Sequence, residues 1–397
     1  MKKEIAVSAL GVKKKKIIFT VSTYYPKKDG VQFVTEYLAE GLAAREYDVT
    51  VITQSIDGVS DEEWHKGVHI IRFHIYTKHA LHYGDIEKYK KYVLKISKHA
   101  DILVNVCMQC AATDSILPLL KKISCRKILY MHGMYRFQWK KEDFASAKES
   151  AHRVWNSILW GRLYQMHGGD IRQYDKIIQI HRFDGAYDFI KRRYGIESIV
   201  IENACDEHFF GETQKNIYGI DSPYCICVAN YLRIKNQIFS MRAFYQTKEM
   251  KDYGLIYIGS EKNEYYSKMC REKETLEKKY GKRNVQFLTK VARSDIPDWV
   301  RGASIYLLSS ISEVFPVSLI ESMAAGVPFI ATDAGVARFL PGGVTVRSER
   351  EMSYWLALLA ENKKCRDSLG TAGREYASCN FNITSKIEQL KKMIEEL

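Results

Sequence analysis

Short β-rich runs alternate with longer helical patterns along the whole of this 397-residue chain. That alternation restricts the fold more than any other feature. Strands separated by helical crossovers pair in parallel and must be covered by helices on both faces. In the first half the runs are 16–22, 48–53, 68–73, 101–106, 127–131, 176–180 and 199–202. In the second they are 224–229, 255–259, 285–289, 304–309, 328–332 and 343–346. The length supports two domains that each bury a core of their own.

Gly211, Gly219 and Pro223 interrupt the periodic pattern between 206 and 223, which marks the expected boundary. Residues 381–397 predict a last amphipathic helix, with Ile383, Ile387, Leu390, Met393 and Ile394 at helical spacing. The expected organisation is therefore a basic extension (1–15), a first α/β domain (16–210), a second (211–378) and a C-terminal helix (379–397). Doubly wound sheets bind ligands beyond the carboxyl ends of their strands, so two such sheets make an interdomain cleft the expected site.

The segment Glu313 to Gly335, reading EVFPVSLIESMAAGVPFIATDAG, carries the densest chemistry. A helix is expected to start near Ser318, after the run 304–309, and to stop at Gly326-Val327-Pro328. Ser318-Leu-Ile-Glu321 fits a capping box, in which Glu321 reaches back to a backbone N–H. The other reading of Glu321 is a carboxylate that accepts hydrogen bonds from ribose hydroxyls, as acidic residues do in dinucleotide folds. Phe315, Pro316, Val317 and Ser318 lie just before and at the helix start, where free N–H groups and the dipole attract a diphosphate. Pro316 has no N–H, so Val317, Ser318 and Leu319 are the better donors. Glu313 either meets the sugar end of the same ligand or is a plain loop carboxylate.

Glu313-x7-Glu321 followed by Ser-Met-Ala-Ala-Gly-Val-Pro and Ala-Thr-Asp-Ala-Gly resembles the donor-binding signature of retaining glycosyltransferase family 4, the glycosyl transferases group 1. The resemblance implies the GT-B fold: two Rossmann-like doubly wound domains facing across a cleft, the first (16–210) on the acceptor side and the second (211–378) binding the nucleotide sugar, with the C-terminal helix returning to the first. It also implies that Glu313 contacts the donor sugar, that Glu321 holds the ribose, and that the amides between them bind the diphosphate.

Further matches follow in the family's order. Tyr25-Pro-Lys-Lys-Asp-Gly-Val-Gln32 resembles its first loop, with Gly30 alone where two glycines are usual. Met131-His132-Gly133 resembles the strand end whose His lies beside the donor sugar, and Asn203 falls in the interdomain segment as a structural turn residue. In Val228-Ala-Asn-Tyr-Leu-Arg-Ile-Lys-Asn236, Lys235 matches the usual Lys. Asn230 stands where an Arg is common, and Arg233 either substitutes or is a solvated cation. Glu313, His132 and Lys235 are thus the expected catalytic residues. Gly30, Arg233, Lys235, Glu313, Phe315, Pro316, Val317, Ser318, Leu319 and Glu321 are the expected donor-binding set. No Asp-x-Asp pair occurs, so no metal is expected at the diphosphate, and Lys235 with the helix N-terminus would stabilise the leaving group.

Composition narrows the setting. No apolar run approaches the ~20 residues that span a bilayer, and nothing resembles an export signal, so a cytoplasmic location is expected. The sequon Asn382-Ile-Thr384 would then be idle. The nine cysteines show no repeated metal spacing, and Cys107-Met-Gln-Cys110 has no second pair near it, so buried reduced thiols are expected. Residues 1–200 hold 33 Lys and Arg against 22 Asp and Glu, while 201–397 hold 27 against 25, which places +11 of the net +13 in the first half. Lys88, Lys90, Lys91, Lys95, Lys98 and Lys191-Arg192-Arg193 either face anionic lipid at the inner face of the cell membrane or form solvated helix faces. No nucleic-acid motif accompanies them.

The resemblance implies a metal-independent hexosyltransferase without cofactor, taking a UDP- or GDP-linked sugar as co-substrate and a glycan or glycolipid as acceptor. A lipid-linked glycan in surface polysaccharide assembly is the expected acceptor class. The alternative is a catalytically silent GT-B subunit that binds a sugar or a partner transferase.

Overall fold

A computed structural model describes residues 14–27, 29–134, 146–183, 185–212 and 222–397. Most of the basic extension, residues 1–13, and the boundary glycine Gly219 lie outside the described residues, as does Lys28 of the first loop. The chain forms two compact units. One comprises Met1–Ile178, Phe189–Ile199 and Leu390–Leu397; the other comprises Gln179–Asp188 and Val200–Gln389. The chain therefore passes between the units near 178, 188, 199 and 389, whereas the sequence suggested breaks at 210 and 378.

The first sheet has eight strands: β1 (Lys16–Thr20), β2 (Asp48–Gln54), β3 (Glu62–His65), β4 (Val68–Phe73), then, past a separate hairpin of β5 (Ile75–Lys78) and β6 (Leu81–Gly84), β7 (Ile102–Val106), β8 (Arg126–Met131), β9 (Lys176–Gln179) and β10 (Ile199–Val200). Its order is β10-β9-β8-β7-β1-β2-β4-β3, and β3 runs antiparallel to β4 at the edge. The helices of this unit are α1 (Gly30–Ala43), α2 (Ile86–Ser97), α3 (Ala111–Asp114), α4 (Ala147–Met166) and α5 (Gly168–Ile171), while α6 (Gly185–Tyr194) begins in the other unit and ends here. Every residue of β7 is buried, as befits a central parallel strand covered on both faces.

The second sheet is built from β11 (Tyr224–Val228), β12 (Gly254–Gly259), β13 (Val285–Thr289), β14 (Ile305–Leu308), β15 (Phe329–Thr332) and β16 (Gly343–Val346) in the order β13-β12-β11-β14-β15-β16, all parallel. Its helices are α7 (Gln237–Gln246), α8 (Glu264–Tyr280), α9 (Ile296–Arg301), α10 (Val317–Ala324), α11 (Glu349–Glu361) and α12 (Lys363–Asn380). Strand alternation divides its core in two. Ile226, Ile256, Ile258, Tyr306 and Phe329 pack on one face, and Cys225, Cys227, Leu255, Tyr257, Ile305 and Leu307 on the other. The nine cysteines are all free thiols, as expected, but only Cys125, Cys205, Cys225 and Cys227 are buried; Cys379 is exposed and the other four are half-buried.

This is the GT-B type of α/β architecture, with a doubly wound sheet in each unit. The last helix, α13 (Ile383–Glu395), ends in the first unit. There Lys15 Nζ donates to the Ile394 carbonyl at 3.1 Å and Tyr47 donates to Glu395 at 2.8 Å. In each sheet the strand order reverses at one point, between β1 and β7 in the first and between β11 and β14 in the second. These are the places where doubly wound sheets part at their carboxyl ends and leave room for a ligand.

Candidate functional site

At the second switch point, β11 runs out into the loop that carries Lys235 and β14 into the loop that carries Glu313. The two strands diverge, and the Tyr306 hydroxyl fills the gap by donating to the Val228 carbonyl at 3.2 Å and accepting from the Val228 N–H at 3.3 Å. The first loop is pinned by buried Gln237, whose amide donates to the Asn230 carbonyl at 3.0 Å, and it turns through Asn236 at φ 49° into α7. The loops are also tied to each other. The Ile311 N–H donates to the Ile234 carbonyl at 2.8 Å, and Ser309 Oγ donates to the Lys235 carbonyl at 3.3 Å.

The result is an ion pair, with Lys235 Nζ 2.6 Å from Glu313 Oε1. Behind the Glu313 loop, Gly335 sits at φ 61°, and a Cβ there would lie 2.5 Å from the Val314 carbonyl oxygen. Only glycine allows that approach without displacing the loop. Arg233 and Asn230 are both exposed.

Four residues beyond Glu313, α10 begins at Val317 with Pro316 as its N-cap. The N–H groups of its first turn have no partner one turn back, which leaves Val317 and Ser318 as donors, while the Leu319 N–H already meets the Pro316 carbonyl at 3.1 Å. Phe315 departs from expectation in that its side chain is core, packed on His181 and Phe381. Its carbonyl accepts from buried Asn203 at 3.2 Å, which gives Asn203 the structural role expected of it.

The capping box does not form. The helix starts one residue before Ser318, so Ser318 lies inside the first turn and no side chain caps it. Glu321 instead points inward, 2 % exposed, and pairs with the Arg293 guanidinium. Burial pushes its carboxyl above the ordinary range, against the pull of Arg293 and with a further push from the charge of Asp206.

Gly30 and His132 belong to the first unit. Gly30 opens α1, whose N-cap Asp29 accepts the Gln32 N–H at 2.8 Å. Nothing lies within 4 Å of the place a Cβ would take, so local packing does not require glycine there. His132 follows the end of β8, its ring edge-on to Tyr130 and its Nε2 buried without a hydrogen-bond partner. Burial pushes its imidazole down to about 4, with the charge of Asp29 acting the other way. The described residues hold one His and carboxylate group with metal-ligand reach, Glu36, Glu40 and His65, and there Lys66 already bonds Glu40 at 3.0 Å.

Two family models match the sequence: the Glycosyltransferase Family 4 model over residues 28–209, and the Glycosyl transferases group 1 model over residues 222–359. The chain belongs to the family 4, group 1 glycosyltransferases. Among solved structures, this glycosyltransferase is similar to sucrose-phosphate synthase from Thermosynechococcus elongatus (TM-score 0.75, 16 % identity, 96 % of this chain and 98 % of that one). It is also similar to HepE from Anabaena in complex with UDP and glucose (0.70, 16 %, 96 % and 100 %). A third is WaaG, a glycosyltransferase involved in lipopolysaccharide biosynthesis (0.66, 19 %, 95 % and 99 %). At these identities the likeness establishes the fold. No curated protein matches the sequence.

The glycosyltransferase thus brings Lys235 and Glu313 together and sets the α10 N-terminus on the same segment, while Glu321 turns to a residue that sequence reasoning missed. The signal for Arg293 was indirect: a Glu in the largely apolar run Leu319–Ala325 must find a cation once buried. Gly335 closes the Ala-Thr-Asp-Ala-Gly motif, whereas Gln237 and Tyr306, which also hold the loops in place, carry no motif of their own. No helix among the described residues is long and apolar enough to cross a membrane.

Proposed function

We propose that this glycosyltransferase moves a hexose from a UDP- or GDP-linked donor to an acceptor hydroxyl with retention at the anomeric carbon. The observation that carries the reading is the Lys235–Glu313 pair at 2.6 Å, fixed at the switch point ahead of the α10 N-terminus. A lone surface ion pair needs no such support. Here two loops, Gly335 and Gln237 all act to hold it. In the proposed complex the Lys235 ammonium and the Val317 and Ser318 amides take the charge that develops on the departing diphosphate. Glu313 then binds the sugar, and Glu321, oriented by Arg293, accepts from the ribose. His132, neutral above about pH 4, is assigned to the sugar as a neutral hydrogen-bonding group. The cations come from the protein, so transfer proceeds without a bridging metal.

The similarity to HepE, whose solved complex holds UDP and glucose, supports a nucleotide-sugar donor, and that to WaaG supports an acceptor in a surface glycolipid. We place the chain in the cytoplasm, in peripheral contact with anionic membrane through the basic first half.

The test is a thermal-shift screen of UDP, GDP, ADP and their sugars, followed by an assay for nucleoside diphosphate release. A diphosphate that binds the folded state raises the midpoint. We expect UDP or GDP to do so and the matching sugar to be turned over. If no diphosphate shifts the midpoint, the donor assignment fails. Binding without release would favour the silent-subunit reading, which the single glycine at Gly30 and Asn230 in place of Arg suggested.

A further inference from the structure

The first switch point carries a hydrogen-bonded chain that the donor reading does not use. Thr77 on β5 lies directly opposite His82 on β6. Thr77 Oγ1 is 3.1 Å from His82 Nδ1, and His82 Nε2 is 3.1 Å from Oδ2 of Asp114. The Asp114 side chain is fully buried. Burial pushes its carboxyl above the usual range, while the bond from His82 opposes that shift. Its other oxygen accepts the Gln109 N–H at 3.0 Å.

That bond pins a loop in which two non-glycine residues, Cys107 at φ 60° and Gln109 at φ 66°, hold left-handed conformations. Each costs roughly 1–2 kcal/mol, and strain of this kind persists only where the surroundings impose it. Beyond Thr77 lies a pocket of about 170 Å³, lined by Ser22, Gln54, Thr77 and Cys110 together with Ile75 and Tyr76. Its size is of the order of a single sugar ring.

The donor and acceptor arithmetic at Thr77 defines what the pocket wants. A hydroxyl has one proton and two lone pairs. The Ala111 N–H occupies one lone pair at 2.8 Å. With Nε2–H of His82 directed to the buried carboxylate, Nδ1 is an acceptor and takes the Thr77 proton. The remaining lone pair belongs to an exposed side chain that lines the pocket. Thr77 is thereby held as an acceptor, strengthened by the chain behind it.

We infer that this pocket binds a hydroxyl-bearing ligand, one sugar ring of the acceptor, whose hydroxyl donates to Thr77, with His82 and Asp114 as positioning residues. Choosing a sugar over another polyol rests on the glycosyl-transfer reading; the hydroxyl chemistry does not.

Saturation-transfer NMR on the full chain with methyl α-glucoside, methyl α-galactoside, methyl α-mannoside and N-acetylglucosamine tests this. At least one is expected to bind, with affinity falling tenfold or more in Thr77→Val and His82→Ala and restored in Thr77→Ser. Because Val also loses the bonds to Ala111 and His82, the melting midpoint of each variant is read beside its affinity: a merely structural tie would lower the midpoint of Thr77→Val and leave glycoside affinity of the folded protein unchanged. The inference is overturned if none of the four binds, or if Thr77→Val binds as the unaltered protein does. Should His82→Ala fail to fold, the Thr77 pair alone decides. UDP binding, measured on the same samples, reports the donor site separately. Its loss with glycoside binding intact would break the donor reading and leave this one standing.

Discussion

The same chain builds two switch points and furnishes them in opposite ways. In the second unit the parting strands deliver opposite charges, Lys235 against Glu313, with the Arg293–Glu321 pair eight residues further on. In the first unit the loop after β7 and the neighbouring end of β8 deliver groups that burial keeps neutral: Cys107, whose thiol is pushed up, and His132, pushed down to about 4. The Thr77–His82–Asp114 chain adds a hydroxyl. A place that must meet a diphosphate needs fixed cations and amides, whereas one that meets a sugar hydroxyl needs oriented neutral acceptors. The fold is shared, and the loops beyond the strand ends make the difference.

The contrast is most easily broken at the buried carboxyl of the second unit. Arg293 is 41 % exposed but its partner is buried, so Arg293→Ala leaves the Glu321 carboxyl inside without its cation, and stranding a buried charge costs about 3 kcal/mol. For a unit of this size that is a fall of roughly 6–12 °C in the melting midpoint. The double change with Glu321→Gln should recover much of it. A fall under about 2 °C would show that the pair is a surface contact and that Glu321 owes nothing to Arg293.

Lys235→Ala should behave in the reverse manner. Its pair with Glu313 is partly exposed, so the midpoint should move by about 2 °C or less, as for an exposed ion pair. Nucleoside diphosphate release should fall roughly 100- to 1000-fold, the effect of removing one transition-state donor. A folded Lys235→Ala protein with full activity would end its diphosphate role.

These two residues also mark where sequence was readable. Lys235 lies in a loop that matches a family pattern at that position, though not at Asn230, and the parallel strands were visible as apolar runs because both faces are buried. Arg293 sits 28 residues before its partner, after β13, with no motif to announce it. Thr77, His82 and Asp114 are likewise joined only by the fold. The hairpin that presents two of them is short and mostly exposed, so β5 and β6, like the polar edge strand β3, lacked the apolar signal that marked the rest. Glu321 shows the opposite failure. Ser318-x-x-Glu321 is a fair capping box in sequence, yet Pro316 starts the helix a residue early and the Glu turns inward.

Gly335→Ala asks how tightly the charged switch point depends on its supports. An alanine at φ 61° costs about 1–2 kcal/mol, and its Cβ would press on the Val314 carbonyl oxygen, 2.5 Å away. The loop that bears Glu313 must shift. The expected outcome is a drop of roughly 2–8 °C in the midpoint, together with weaker UDP binding in a calorimetric titration. Unchanged UDP binding would mean that the loop position is not critical to the donor.

The smallest effect concerns pH, and it separates the units again. His132 in the first and His181 in the second are both held neutral, each with its imidazole pushed down to about 4 mainly by burial. In the unfolded chain a histidine protonates near 6.5. Between about pH 6.5 and 4 the unfolded state therefore binds more protons than the folded one, and stability is lost as pH falls through that window. Above it the full stability is present, and below it these two groups cause no further loss. His132→Asn should flatten the slope of melting midpoint against pH by the first unit's share and leave that of His181. If the slope is unchanged in His132→Asn, His132 is not held neutral by its burial. Its assignment as a neutral partner of the sugar would then lose its physical basis.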